Sequence, residues 1–306
     1  MNPSAFFRAH PTAVWAFAGM TLIWGSTWHA IHLQLNGTPM FVSVALRFAL
    51  AAAVLGLWMR ARRQPLAVPA GLRPVVMVQG LCIYGVNYLF AYAATAYVAS
   101  GVVALVFAFN VVVSLLLEPW LLGQRSPSGL WLAAALGVGG LALVLLPEGF
   151  DALAPTRLLG VGLALGGAVC VGLGNVLSSR LLRGGASLPA LNFWGFVVGT
   201  TVALLAAAAG GEGWSLQATP AYLASLLYLA LFGSVLAFAL YLHVVRELGP
   251  VRAAYSSVLS PVIALLLSGL LEGLRWTPGL VAGLLLVLLG NLLVLRRRAR
   301  PAVARR

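Results

Sequence analysis

The chain has 306 residues, of which 61 % are apolar and only 8 % charged, with a mean hydropathy of +0.99. Soluble domains are about 25 % charged, so this composition excludes a water-covered globule and requires most of the surface to face lipid. Six acids in the whole chain (Glu118, Glu148, Asp151, Glu212, Glu247, Glu272) argue against acidic metal sites and nucleotide hydrolysis. The net charge is +13 and every basic residue is arginine, but the position of that charge, described below, points to a membrane surface and not to nucleic acid.

A transmembrane helix takes about 20 apolar residues. Apolar runs broken by Gly, Pro and charge predict ten spans, an all-α membrane protein. They cover about 12–33, 40–59, 74–94, 99–122, 129–146, 158–182, 189–209, 220–243, 251–271 and 277–295. If the N-terminus is cytoplasmic, the positive-inside rule expects arginines in the even connections and both tails. Sixteen of the nineteen fall there; Arg157 and Arg275 fall on the other side, with Glu148, Asp151, Glu212 and Glu272, and Arg47 lies within span two. The C-terminal arginines read as an orientation anchor at an anionic leaflet. Both ends of this multi-pass membrane protein are therefore expected in the cytoplasm. Span one is too long for a signal core and no clear small-residue cleavage site follows it.

Shifting the chain by 150 residues lays 99–145 over 249–295 with 15 of 47 positions identical, among them Gly123 on Gly273, Arg125 on Arg275, Gly129 on Gly279 and Gly140 on Gly290. The repeat unit is five spans, and an odd unit enters the membrane in the opposite sense the second time. Two inverted five-helix repeats are a recurrent plan of secondary transporters, with the site near the midplane between them. The expected organisation is a cytoplasmic N-terminus 1–11, a first repeat 12–146, an extracytoplasmic connection 147–157, a second repeat 158–295 and a basic cytoplasmic tail 296–306.

The segment Ile23-Trp24-Gly25-Ser26-Thr27-Trp28, the run Ala45-Leu46-Arg47-Phe48 preceded by Pro39, and the stretch from Asn87-Tyr88 to Ser100-Gly101 with its Ala-rich helix together resemble EamA-type members of the drug/metabolite transporter superfamily. The resemblance covers nearly the whole chain as two EamA-like repeats. It implies an inner-membrane transporter, commonly an exporter of amino acids or other small metabolites, with spans five and ten outside the cavity. The chain departs from the pattern where the family often has proline in span four, which here is Asn110, although Pro261 is kept in span nine. The acid usual near the end of the fourth helix is replaced by Gln124, which puts a mechanism built on that acid in doubt.

The candidate cavity residues are polar or aromatic groups inside apolar spans. Arg47 lies on the order of 10 Å deep, where arginine costs roughly 2.5–3.5 kcal/mol on insertion scales. It needs a carbonyl or acid partner, water, or an outer interface, and so has either a substrate or gating role or a structural one. Trp24, Thr27 and Trp28 share a helical face beside Ser26 and His29, which suits an amphipathic ligand or interhelical packing; His29 and His32 read as interface residues. Tyr84, Tyr88 and Tyr92 form a stripe beside Asn87. Asn110 and Asn175 are amides in hydrocarbon, costly unless paired. Tyr228, Tyr255 and Ser260 are the second-half counterparts, near the bend expected at Pro261. Glu118 is a proton-coupling candidate or an interfacial carboxylate near Arg125. Cys82 and Cys170 read as small buried hydrophobes.

No phosphate loop, Cys-x-x-Cys, His-Glu-x-x-His or acidic metal motif occurs, so no catalytic residue, metal or cofactor is expected. The reading is a secondary transporter exporting a small amphipathic metabolite, its partners that solute and the bilayer. The alternatives are a lipid-linked sugar translocator and a membrane-embedded transferase.

Overall fold

The computed structural model describes residues 11–35, 38–123, 130–145, 155–211, 213–248, 253 and 255–298. The readings that fall on Gln124, the turn at 125–129, Glu148, Asp151, Glu212, Arg252 and 299–306 lie outside them. Among the described residues there are ten helices and no strand. We label them α1 (Pro11–Leu33), α2 (Met40–Ala61), α3 (Ala70–Thr95), α4 (Ser100–Leu122), α5 (Leu130–Leu145), α6 (Pro155–Arg183), α7 (Leu188–Ala209), α8 (220–248), α9 (Ser256–Leu271) and α10 (Pro278–Arg298). They coincide with the ten expected spans to within a few residues at each end.

The helices begin and end where the punctuation of the sequence dictates. Proline, whose missing N–H costs nothing in a first turn, opens α6, α8 and α10 and stands in the first turn of α7. Ser187 and Thr219 cap α7 and α8 by accepting from Ala190 and Tyr222 N–H. Gly123 and Gly273 follow α4 and α9 with φ of +64° and +72°, a conformation glycine alone adopts without steric cost. Six helices (α2, α3, α4, α6, α7 and α8) are long and apolar enough to cross a membrane; α5, α9 and α10 carry shorter apolar stretches. In α1, Ser26, Thr27, His29 and His32 dilute an otherwise apolar 23-residue helix.

Three helices depart from regular α geometry. Residues Leu81–Val86 of α3 and Tyr228–Leu236 of α8 are π-helical, and the two stretches end 150 residues apart. In α4 the helix breaks at Ala108–Phe109, and the side-chain Nδ2 of Asn110 donates to the Phe107 carbonyl at 2.6 Å. The break thus occurs without a proline, and the Phe107 carbonyl beside it is satisfied by the asparagine.

The closest helix pairs are α5 with α10, α2 with α7, α4 with α9, α4 with α6, α1 with α9, α3 with α6, α1 with α8, α3 with α7 and α2 with α8. The α5–α10 contact depends on missing side chains: a Cβ on Gly140 would stand 2.6 Å from the Gly283 carbonyl oxygen, and one on Gly290 2.9 Å from that of Ala133. Small residues let helix backbones approach closely in lipid, where dispersion and not water exclusion drives association.

Candidate functional site

A cavity of about 380 Å³ opens between the helices. Its walls come from α1, α3, α4, α6, α7, α8 and α9; α5 and α10 contribute none of its described lining, and neither does α2. Trp24, Tyr84 and Phe238 stand deepest in their helices, while Glu118, Leu182, Leu188 and Ser257 lie near the ends of α4, α6, α7 and α9. The cavity thus runs from mid-helix to the end where α4 finishes and α7 and α9 begin. We call this the open end.

At its inner limit an aromatic layer closes the space. Trp24 meets Phe238 edge-on at 5.5 Å, and Tyr84 lies 6.2 Å from Phe238. The ring of Tyr84 then packs on Phe196, which stacks on Phe48. Edge-to-face aromatic pairs of this kind contribute beyond the area they bury. The hydroxyl of Tyr84 donates to Asn192 Oδ1 at 2.8 Å, and the ring fits against α7 because residue 195 is glycine.

Beyond that layer, Arg47 is buried at 1 % exposure. Its Nε donates to Ser234 Oγ at 3.3 Å, its Nη2 to the Tyr88 hydroxyl at 3.4 Å, and its guanidinium lies 4.7 Å from the Tyr88 ring centre. Nη1 is buried without a hydrogen-bond partner. All these partners are neutral, so the cation is held by hydroxyls and a π face. Arg47 thereby links α2 to the π-helical stretch of α8 and to α3 immediately after its own π-helical stretch.

The opposite end is closed by a carboxylate. Glu272, whose side chain is 2 % exposed, lies 2.9 Å from His29 Nδ1. It accepts from Ser100 N–H at 3.0 Å, from Ser100 Oγ at 2.6 Å and from Ser268 Oγ at 3.0 Å. Burial raises its pKa, but the hydrogen bonds from Ser100, His29 and Ser268 outweigh burial and hold it below the usual value. One residue thus ties together α1, the start of α4 and the end of α9. Nearby, Arg157 and Arg275 line a separate small cavity with Val98 and Thr277.

Of the residues singled out in the sequence, Trp24, Tyr84, Asn110, Asn175 and Glu118 line the open cavity. Arg47 and Tyr88 lie beyond its aromatic end. Thr27 is buried with its hydroxyl on the Trp24 carbonyl, and Asn87 donates to the Ile83 carbonyl. Ser26 and Tyr228 are joined to each other at 2.6 Å, away from the lining; Tyr255 and Ser260 also lie outside it, the latter donating to the Ser256 carbonyl. His29 sits at the closed end and takes part in its seal.

Gln79, Ser114, Ser178, Ser179, Phe238 and Tyr241 line the cavity and were not among the candidates. Gln79 carries the same signal as the asparagines, an amide within an apolar span. The serines carry none, because a helical serine in lipid ordinarily bonds its own backbone.

The profile of the EamA-like transporter family matches residues 11–146 and again 158–296. The chain is 28 % identical over 300 residues to the "Uncharacterized inner membrane transporter YedA" of Escherichia coli strain K12, covering 94 % of each chain, and equally to that of strain O157:H7. A solved crystal structure superposes with a TM-score of 0.66 at 20 % identity, covering 95 % of this chain and 99 % of the other, a likeness of fold. The chain belongs to the EamA-like transporter family, as two consecutive matches spanning nearly its whole length.

Proposed function

We propose that the protein is a secondary transporter of the inner membrane that exports a small amphipathic metabolite, an amino acid or a related compound, by alternating access. The observation that carries this reading is the one-sided cavity: about 380 Å³ open at one end and closed at the other by the Glu272 junction of α1, α4 and α9. Such a cavity is one limb of an alternating-access cycle, and its size suits a small ligand.

The arginine count supports placing the open end and both termini in the cytoplasm, since the connections at that end together with the two tails hold sixteen of the nineteen arginines. The state described is then inward-open, the state that loads an export substrate.

Two inverted five-helix repeats, 12–146 and 158–295, supply the moving parts in this reading. The helix pairs support it, because exchanging each helix for the one five later returns the same set: α4–α6 becomes α9–α1, and α3–α6 becomes α8–α1. The contact of Gly140 with Gly283 becomes that of Gly290 with Ala133 under a shift of 150 residues. The π-helical ends and the left-handed glycines keep the same spacing. In each half one helix, α3 or α8, offers a flexible π-helical turn for the repeats to rock about.

We read the protein as a carrier and not an enzyme, because the cavity wall offers amides, hydroxyls and aromatic faces with one described carboxylate, Glu118, and no paired acids. Efflux from loaded proteoliposomes tests the function. Export of at least one solute from a panel of amino acids, amines and drugs is expected, abolished by Trp24→Ala; no export of any panel member contradicts it.

A further inference from the structure

We infer that the ligand of this cavity carries a protonated amine. The inference rests on the transporter reading and names its substrate class.

The hydrogen bonds of the polar wall fix which atoms it turns toward the ligand. Ser178 Oγ donates its single proton to the Gly174 carbonyl at 2.8 Å. It can therefore only accept from Gln79, whose Nε2 lies 3.1 Å away. That sets the orientation of the Gln79 amide, since a flipped amide would place an oxygen against an oxygen with no proton between them. Gln79 Oε1 is left as a buried acceptor without a partner, in a residue 2 % exposed that lines the cavity.

The same logic orients the asparagines. Asn110 Nδ2 donates to the Phe107 carbonyl at 2.6 Å, so its Oδ1 faces the other way and accepts from Asn175 Nδ2 at 3.3 Å. Asn175 is exposed to the cavity, and with its nitrogen committed it keeps an oxygen for the ligand. Ser114 and Ser179 likewise give their protons to backbone carbonyls, at 2.8 Å and 3.2 Å. Apart from spare amide N–H bonds, this wall of α3, α4 and α6 presents lone pairs.

A carboxylate set against this wall meets acceptors with acceptors, the donor-bearing Trp24, Asn192 and Tyr241 standing on α1, α7 and α8. An ammonium brings three donors and fits them, and one charge-assisted bond is roughly twice as strong as a neutral one. Trp24, Phe238 and Tyr241 supply the π faces that suit both a cation and the apolar body attached to it. The carboxylate of Glu118 lines the same cavity. The geometry thus points to an amphipathic primary amine, for which a free carboxylate is not required.

The test is calorimetric titration of the full-length protein in lipid nanodiscs with three probes sharing one ring: phenethylamine, N-acetylphenethylamine and 3-phenylpropionate. Phenethylamine should bind at least about tenfold more tightly than either of the others, the scale of one hydrogen bond to a charge. Gln79→Leu and Asn175→Ala should each weaken phenethylamine severalfold and leave the acetylated probe unchanged; Asn175, being exposed in the cavity, keeps the test independent of any folding defect at Gln79. Equal or tighter binding of 3-phenylpropionate, no binding of phenethylamine, or both variants without effect overturns the amine class. Those outcomes leave the carrier reading to the efflux panel. Absence of all efflux with amine binding intact would overturn the carrier reading instead.

Discussion

His29 Nδ1 lies 2.9 Å from Glu272 Oε1, joining α1 to the end of α9 at the end of the bundle remote from the cavity. With Ser100 and Ser268 completing the shell, this carboxylate is the seal that makes the cavity one-sided. The proposed cycle must break it each time the opposite face opens, so its strength sets the balance between the two states.

Glu272→Gln keeps the shape but removes the charge that four donors address. Hydrogen bonds to a charged group are worth about 1.5–3 kcal/mol each in net terms, and part of that is kept by the amide. We expect a loss of about 2 kcal/mol from the closed arrangement. A cysteine at Ser268 should therefore react faster with a membrane-impermeant maleimide in the Glu272→Gln background than in its absence, and an unchanged rate would show that the junction is not a seal.

The same group fixes the acid side of the pH dependence. Its pKa in the closed structure is held below the usual carboxylate value, so the closed structure binds fewer protons than an opened one does. Its contribution is fully present above the ordinary glutamate value of about 4.3 and is lost as the pH falls below that toward the lowered value. Labelling of the Ser268 cysteine, divided at each pH by the rate of a free thiol measured alongside to remove the loss of thiolate, should stay flat from neutral pH down to about 5 and rise only below the ordinary glutamate range.

Tyr84→Phe deletes the hydroxyl that donates to Asn192 Oδ1 at 2.8 Å. Leaving one buried polar partner unsatisfied costs about 1–3 kcal/mol, whereas removing both is nearly neutral. A thermal-unfolding cycle of Tyr84→Phe, Asn192→Leu and the double variant should give a double variant more stable than the sum of the singles predicts; simple additivity would mean the bond contributes nothing.

Gly283→Leu probes the α5–α10 contact, which lies outside the cavity. The Cβ of residue 283 would meet the Gly140 carbonyl oxygen at less than contact distance. Overpacking of this kind costs about 1–3 kcal/mol. The melting temperature should fall while the relative efflux of different solutes is unchanged; altered selectivity would place these helices in the transport path.

The sequence made the helices legible because hydropathy and proline–glycine punctuation act locally, and all ten helices lie where those signals put them. The site was legible only in part, and for a physical reason. Polar side chains in lipid-embedded helices must face inward, which singles out Asn110, Asn175 and Glu118 in the lining, but facing inward is not the same as lining the cavity. Arg47, Asn87 and Ser260 spend their bonds on neighbouring hydroxyls or on carbonyls of their own helices, and none of the three belongs to the lining. Gln79 shows the converse, an amide as informative as the asparagines whose significance depends on a serine a hundred residues away. The role of His29 required knowing that the ends of α1 and α9 meet, which no local pattern encodes.

The most direct test of alternating access is the sidedness of Ser179, a cavity residue, replaced by cysteine in a background where Cys82 and Cys170 are alanine. Membrane-impermeant maleimide should label it in inside-out vesicles and not in right-side-out vesicles, and addition of a transported solute should make it reactive from the second side as well. Labelling from the right-side-out face alone, or from both faces at equal rates without solute, would contradict a cavity that opens to one side at a time.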